Sequence, residues 1–122
     1  MFQDAGDGFI REIAFQIMPV VYLPGDYVVT VGEPGNDMFF VSRGDLEVVS
    51  KDGTTIFSTL KDGDFFGEIA LVLNKPRSAS VRAKTYCDLY RLDRELFERV
   101  LSHYPDVASK IRDRAMERQS RN

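Results

Sequence analysis

The sequence has few of the residues on which covalent and metal-based chemistry depends. Its 122 residues include one cysteine, one histidine and no tryptophan. Cys87 cannot form an intramolecular disulfide and is expected to be a small buried apolar residue. Cys87 and His103 together cannot supply a closed metal site, and no Ser, His and Asp triad is expected around a histidine near the end of a helix. The composition therefore predicts a protein that is not an enzyme and holds no metal.

Long apolar runs and an excess of positive charge are also missing. No run approaches the roughly 18 to 20 apolar residues that span a bilayer, and the N-terminus lacks the pattern of a signal peptide, so a soluble, cytosolic segment is expected. The net charge of −3 speaks against binding to a nucleic-acid backbone. The length allows one domain. A predicted helix that begins close to Met1 indicates a piece of a longer protein.

Short β-rich runs separated by turn residues fill the middle of the chain. Their regular spacing predicts an antiparallel barrel or sandwich with tight turns. The turns contain Pro, Asp and Gly, and the glycines interpreted as turn residues are Gly25, Gly32, Gly35, Gly44 and Gly63. The predicted strands are residues 20–22, 27–31, 38–42, 46–50, 55–60, 80–83 and 87–92.

Helical periodicity is found at both ends of the chain. Residues 7–18 form a predicted amphipathic helix that Pro19 ends. Asp93 is expected to cap a second helix, which ends at Pro105. The last predicted helix, from Asp106 to about Arg121, is basic near its end and has a thin apolar stripe of Val107, Ile111 and Ala115. Such a helix could close over an anion or remain a solvated helix, and the residues alone leave both interpretations open.

The stretch FGEIALVLNKPRSASV, residues 66–81, interrupts the strand pattern. Gly67 allows a tight turn into a short helix whose first N–H groups are free to bind an anion. Pro76 stiffens the chain before Arg77, whose guanidinium can hold two oxygens of a phosphate diester. Glu68 would repel a phosphate but can accept a hydrogen bond from a ribose hydroxyl. An internal Glu68–Arg77 ion pair is the alternative, and the spacing does not decide between the two.

The run FGEIALVLNKPRSAS resembles the phosphate-binding cassette of cyclic-nucleotide-binding domains, in which FGE and a short apolar helix are followed by PR and small residues. The run PGDYVVTVGEPGNDMFFVSRGDLEVV, residues 24–49, is similar to the early barrel of that family. The resemblance implies an α+β fold, an eight-stranded antiparallel β-barrel of the jelly-roll kind. The barrel would span residues 20–92 with the cassette at 66–80, between an N-terminal helix at 7–18 and C-terminal helices, including a lid, at 93–122.

The same resemblance implies a ligand, cAMP or cGMP, and no other cofactor. Arg77 would pair with the cyclic phosphate, and Glu68 would accept a hydrogen bond from the ribose 2′-hydroxyl. Ser78 places a hydroxyl directly after the cassette arginine, a position that bears on the choice between adenine and guanine. The resemblance to channel domains with a hydroxyl there favours cAMP. Arg118 would reach over the purine. The other residues implied as ligand contacts are Phe66, Gly67, Ile69, Ala70 and Ala79, with Leu60 and Val81 either touching the base or belonging to the barrel core.

The run TYCDLYRLDRELFERVLSHYPDV, residues 85–107, is most similar to the C-terminal domains of cyclic-nucleotide-gated and hyperpolarisation-activated channels. This implies a cytoplasmic domain of a plasma-membrane cation channel, potassium or nonselective. Its partner would be a pore domain reached through a linker, tetrameric in the full protein, with the segment itself monomeric.

Four other classes of protein are weaker alternatives. A catabolite-activator-type transcription factor would need an additional helix-turn-helix module, and a kinase regulatory subunit usually has two barrels. A phosphodiesterase or cyclase would need metal ligands or a general base near the cassette. A channel domain that has lost ligand binding usually lacks the cassette arginine, which is present here as Arg77.

Overall fold

The computed structural model describes residues 17–121, except the side chains of Val100, Ser120 and Arg121. The helix predicted at 7–18 lies almost entirely outside this range, and its expected last residue, Met18, instead begins the first strand. The strands are β1 (Met18–Tyr22), β2 (Tyr27–Val29), β3 (Asp37–Arg43), β4 (Leu46–Val49), β5 (Ile56–Leu60), β6 (Phe65–Phe66), β7 (Ser80–Ala83) and β8 (Cys87–Asp93). The helices are α1 (Glu68–Val72), α2 (Arg94–His103) and α3 (Pro105–Arg121).

The described strands form two antiparallel four-stranded sheets, in the orders β1-β8-β3-β6 and β2-β7-β4-β5. The expectation of one closed eight-stranded barrel is therefore wrong, because no strand pairing joins the two sheets within residues 17–121. Two of the strands are too short to continue the hydrogen-bond ladder of one sheet into the other. β2 has three residues and an irregular register against β7, and β6, which the sequence did not predict as a strand, has two.

An apolar core lies between the two sheets. Side chains alternate between the two faces of a strand, so every second residue of β3 and β8 points into this interior. Cys87 is fully buried there, as expected, and burial raises the pKa of its thiol. The buried members of this core are Val29, Phe39, Val41, Leu46, Leu60, Phe66, Val81, Ala83, Cys87 and Leu89.

A second apolar cluster joins the other face of β3 and β8 to the helices. Met38, Phe40 and Leu92 come from the sheet, and α3 contributes Val107 and Ile111. The thin stripe predicted for α3 is confirmed, because Val107, Ile111 and Ala115 are all buried. The first part of α3 is therefore fixed to the sheet, which places the helix beside α1. The remaining buried members are Phe65, Leu71, Leu96 and Phe97.

The connections between these elements follow the predicted chemistry. The N–H of Leu96 donates to Asp93 Oδ1 at 2.9 Å, which confirms the predicted cap of α2. Gly44 turns the chain between β3 and β4 with a φ of 120°, and a Cβ there would lie 2.6 Å from the carbonyl oxygen of Tyr86, so this position requires glycine. No helix in the described part of the chain is both long enough and apolar enough to span a membrane.

Candidate functional site

A cavity of about 420 Å³ lies where the β2-β7-β4-β5 sheet meets α1 and α3. Its volume is within the range of small-molecule sites, roughly 300 to 1,000 Å³. The cassette, the sheet and α3 each contribute part of its wall. The lining residues are Val29, Val48, Phe57, Ser58, Thr59, Leu60, Asp64, Phe66, Gly67, Glu68, Ile69, Arg77, Ser78, Ala79, Val81, Arg114 and Arg118.

All of the site residues predicted from the sequence line this cavity except Ala70. Leu60 and Val81 each line the cavity and also belong to the core between the sheets, so their core role is confirmed and their contact with a base stays a prediction. Ala70 is buried on the other side of α1, where a Cβ added to Gly35 would meet its Cβ at 2.4 Å. Ala70 therefore packs against the β2–β3 loop and does not line the cavity.

Arg77 is buried to 7% exposure and held by two contacts. One Nη2 hydrogen donates to Asp37 Oδ1 at 2.6 Å, and Nη1 donates to the carbonyl oxygen of Gly67 at 3.0 Å. The backbone of Arg77 is also fixed, because its N–H donates to the Glu33 carbonyl and its own carbonyl accepts from the N–H of Gly32. A guanidinium has five N–H donors, so donors remain for an anion in the cavity.

Asp37 and Gly35 do not line the cavity but hold Arg77 in place, and no pattern in the sequence selects them for this role. Asp37 begins β3 and supplies the carboxylate that orients Arg77. Gly35 is buried and does not have a positive φ, so a tight turn does not by itself explain why glycine is needed here. A Cβ at Gly35 would lie 2.7 Å from Arg77 Cζ, and glycine is thus needed for close packing against the guanidinium.

Glu68 is the most deeply buried charged residue of the cavity, with a side chain 1% exposed. Its Oε1 accepts a hydrogen bond of 2.6 Å from Arg118 Nη1, whereas its Oε2 has no partner among the described residues. Burial raises the pKa of Glu68, against the opposing charge of Arg118. A buried acceptor without a donor is unfavourable, so this oxygen marks a place where a ligand hydroxyl would be stabilised.

Arg118 is engaged by the cassette. Besides Glu68, its Nη1 donates to the carbonyl oxygen of Phe65 at 2.8 Å, and its Cζ lies 5.3 Å from the centre of the Phe65 ring. The internal Glu68–Arg77 pair that the sequence left open does not form, because Glu68 pairs with Arg118 and Arg77 with Asp37. The ion-pair partners of Glu68 and Arg77 come from distant parts of the chain, so the cassette sequence alone could not predict them.

Seven of the residues that line the cavity were not predicted as site residues, and two of them, Phe57 and Arg114, have large side chains. Phe57 in β5 is 58% exposed, an unusual position for a large aromatic side chain on a strand. Its place in a short β-rich run was the only sequence signal. Arg114 lies one helical turn before Arg118 on α3. Among residues 17–121, no group of three or more His, Cys, Asp or Glu side chains is placed to hold a metal ion.

The cavity thus brings together a buried arginine, Arg77, and a buried carboxylate with one unpartnered oxygen, Glu68, which suits an anionic ligand that also carries a hydroxyl group. The family model described as "Cyclic nucleotide-binding domain" matches residues 19–104, which is more than half of the chain. The chain therefore belongs to the cyclic nucleotide-binding domain family, whose ligand is cAMP or cGMP.

Curated relatives include channels. The "Cyclic nucleotide-gated channel rod photoreceptor subunit alpha" of Gallus gallus is 34% identical over 120 residues, which is 93% of this chain and 19% of the relative. The "Cyclic nucleotide-gated channel alpha-3" of Homo sapiens is 33% identical, over 93% of this chain and 17% of the relative. The chain thus spans less than a fifth of the length of these two relatives.

A solved structure shares the fold. The structure described as "cAMP bound PfPKA-R (141-441)" superposes with a TM-score of 0.80 at 28% identity, covering 95% of this chain and 40% of that one. The similarity extends over nearly the whole chain, so it includes both sheets and the helices around the cavity.

The raised pKa of Glu68 predicts how stability depends on pH. A carboxyl group whose pKa is higher in the folded state than in the unfolded chain binds protons preferentially when folded. The free energy of unfolding should therefore fall as pH rises from the ordinary glutamate value of 4.5 through the raised folded pKa, and level off above it. The variant Glu68→Gln has no titrating carboxyl group at this position, so it should lack this fall in the free energy of unfolding.

Urea unfolding of the wild type and Glu68→Gln at a series of pH values measures the difference. We expect the stability of the wild type relative to the variant to decrease with rising pH across this window. A difference that instead grows with pH would mean that Arg118 stabilises the ionised carboxylate by more than burial penalises it.

Proposed function

We propose that this chain is the ligand-sensing domain of a cation channel, in which cAMP or cGMP fills the cavity and α3 transmits the binding event. The observation that carries the proposal is that Oε2 of Glu68 has no partner in the described part of the chain and lies in the same cavity as Arg77. A cyclic nucleotide has the matching groups, because its ribose 2′-hydroxyl is a donor and its cyclic phosphate is an anion. The proposed role is binding, without catalysis.

Each part of the ligand has a matching wall in the cavity. The cyclic phosphate takes the remaining N–H donors of Arg77, while the exposed hydroxyl of Ser78 lies next to it in the chain. The 2′-hydroxyl donates to Glu68 Oε2. Apolar side chains provide the surface for the base, namely Val48, Phe57, Leu60 and Val81. We extend the proposal to cAMP as the preferred nucleotide, on the resemblance to channel domains that have a hydroxyl after the cassette arginine.

Glu68 offers a direct route from the ligand to α3. Its Oε1 accepts from Arg118 and its Oε2 has no partner within residues 17–121, so ribose binding and the contact with α3 are compatible on one carboxylate. Ribose binding would fix the carboxylate and thereby strengthen its hold on Arg118. The segment from about 112 onward would then act as the lid that closes on the nucleotide.

The remainder of the channel proposal follows from the relatives. We propose that the domain lies on the cytoplasmic side of a plasma-membrane channel, potassium-selective or nonselective. A linker would connect it to a pore domain assembled from four chains. The supporting observation is the 33 to 34% identity to two channel subunits over 93% of this chain.

A kinase regulatory subunit is the second candidate. The superposition on "cAMP bound PfPKA-R (141-441)" favours it, since 40% of that chain is covered by one copy of this domain. The parent sequence separates the two candidates. Apolar membrane spans before this segment support the channel, and a second domain of the same family supports the regulatory subunit.

Arg77→Ala tests the proposed site directly. Removing one member of a desolvated charge pair costs about 3 to 5 kcal/mol, which corresponds to a loss in cAMP affinity of about two to three decades or more. Lys75→Ala is the matched control, because Lys75 is exposed and does not line the cavity. Calorimetric titration with cAMP measures both variants.

Arg77→Lys covers the case in which Arg77→Ala does not fold, since it keeps the charge that pairs with Asp37 but loses the planar fork for the phosphate. It should also bind much more weakly than the Lys75 control. A folded Arg77→Ala protein that binds cAMP within threefold of the wild type would contradict the assignment.

Hydrogen exchange tests the transmission to α3. Amides from about 112 to 119 should gain protection when cAMP is added, and more than amides of β1, no residue of which lines the cavity. Arg77→Ala at the same cAMP concentration provides the control and should show no gain. Unchanged exchange in α3 of the nucleotide-saturated wild type would make this helix a passive tail.

A further inference from the structure

The guanidinium of Arg77 takes its two contacts from two different segments of the chain. Its Nη1 donates to the carbonyl oxygen of Gly67, directly before α1, and its Nη2 donates to Asp37, directly after the loop that connects β2 and β3. This β2–β3 loop comprises residues 30–36. The orientation of the guanidinium therefore depends on how the β2–β3 loop and α1 are placed relative to each other.

Arg94, the first residue of α2, joins the same two segments. Its Nη1 donates to the carbonyl oxygen of Leu71 in α1 at 3.4 Å, and its Nη2 donates to the carbonyl oxygen of Gly35 in the β2–β3 loop at 3.3 Å. The backbone N–H of Arg94 donates to the carbonyl oxygen of Asn36 at 2.8 Å. One residue thus binds two consecutive carbonyl groups of the loop and one of α1.

The side chain of Arg94 is part-buried and has no carboxylate partner within residues 17–121. The planar guanidinium has donors on two sides, so it can bind two acceptors from different segments at the same time. A lysine has one nitrogen and cannot span the two carbonyl groups in this way. The geometry suits a residue that holds two segments together.

The part of the loop that Arg94 holds is also the part that contacts Arg77. A Cβ at Gly35 would lie 2.7 Å from Arg77 Cζ, so the backbone bound by Arg94 packs directly against the guanidinium. Asp37, which accepts the 2.6 Å hydrogen bond from Arg77, lies two residues further along the chain. Arg94 itself does not line the cavity. An effect of Arg94 on a ligand must therefore pass through the position of Arg77.

The other half of the β2–β3 loop has its own contacts with the cassette. The N–H of Val31 donates to Ser80 Oγ at 2.9 Å, and the N–H of Gly32 donates to the carbonyl oxygen of Arg77. These contacts do not involve Arg94. Loss of the Arg94 side chain should consequently loosen the half of the loop next to β3 and leave the rest of the loop in place.

We propose that Arg94 is a positioning residue of the phosphate site. It holds the β2–β3 loop against α1 and thereby keeps the Arg77 guanidinium in the orientation that binds the cyclic phosphate. This inference rests on the proposed function. A guanidinium that is already oriented binds more tightly, because less conformational freedom is lost when the ligand arrives.

NMR relaxation of the ligand-free protein tests the positioning without any nucleotide. The Nε–Hε signal of Arg77 is assigned by its absence from the spectrum of Arg77→Lys. Its order parameter should be that of a rigid group in the wild type, about 0.85, and should fall towards about 0.6 in Arg94→Gln. Arg99→Gln is the matched control, because Arg99 is an exposed arginine of the same helix that pairs with Glu95, and it should leave the order parameter unchanged.

Titration with cAMP tests the consequence for binding. Arg94→Gln should weaken cAMP by about 5- to 50-fold, the range expected when one or two hydrogen bonds of a charged donor are lost. Arg94→Lys keeps the charge but reaches only one carbonyl group, so its affinity should lie between those of the wild type and Arg94→Gln. Arg99→Gln should stay within about twofold of the wild type.

A double-mutant cycle separates positioning from a general loss of structure. In an Arg77→Lys background there is no planar guanidinium to orient, so Arg94→Gln should change the affinity by no more than about twofold. Urea unfolding confirms that each variant is folded under the conditions of the titration. If Arg94→Gln does not fold, Arg94→Lys takes its place in the cycle and in the relaxation measurement.

Three outcomes would overturn the inference. The order parameter of Arg77 is unchanged in Arg94→Gln, the affinity of Arg94→Gln matches that of the Arg99 control, or Arg94→Gln causes the same loss in both backgrounds. In each case the wild type still binds cAMP and the proposed function stands. A folded wild type that binds neither cAMP nor cGMP overturns the proposed function instead, and the relaxation of the ligand-free protein still decides whether Arg94 orients Arg77.

Discussion

The arrangement of this domain depends on one buried carboxylate that has only half of its hydrogen-bonding capacity satisfied. Glu68 is 1% exposed, with Oε1 held by Arg118 and Oε2 without a partner among the described residues. A fully satisfied Glu68 would be a structural ion pair, and an unpaired one would be too unfavourable to bury. Because only one of its two oxygens is paired, Glu68 holds the cassette to α3 and still leaves one acceptor for a ligand. The proposed route from ligand to α3 runs through this one group, because Oε1 contacts α3 and Oε2 is the acceptor proposed for the ligand.

The anion side of the cavity is built by residues distant in the sequence. Asp37 and Arg77 are separated by 40 positions and meet because β3 and the cassette lie side by side. The Asp37 carboxylate lowers the free energy of the buried guanidinium and fixes its orientation, while Gly35 leaves the space that the guanidinium occupies. The phosphate site that we propose at Arg77 is thus preorganised, and its affinity would depend on how Asp37 and the ligand share the donors of this arginine.

Local chemistry was predictable from the sequence, and long-range pairing was not. The Asp93 cap, the stripe of Val107, Ile111 and Ala115, and most strands follow from spacing that acts within a few residues. The cassette was identified because its motif is contiguous. Closure of the barrel and the partners of Glu68 and Arg77 depend on how distant segments pack. No local pattern encodes those contacts.

The measurement that tests the role of Glu68 most directly compares cAMP with 2′-deoxy-cAMP on the wild type and on Glu68→Gln. A hydrogen bond to a charged acceptor is stronger than one to a neutral amide, so the preference of the wild type for cAMP over its deoxy analogue should shrink by roughly fivefold in the variant. Such a loss would show that Glu68 binds the ribose hydroxyl. If the variant weakens both nucleotides equally, Glu68 serves only to hold Arg118, and the link between ribose binding and α3 would be contradicted.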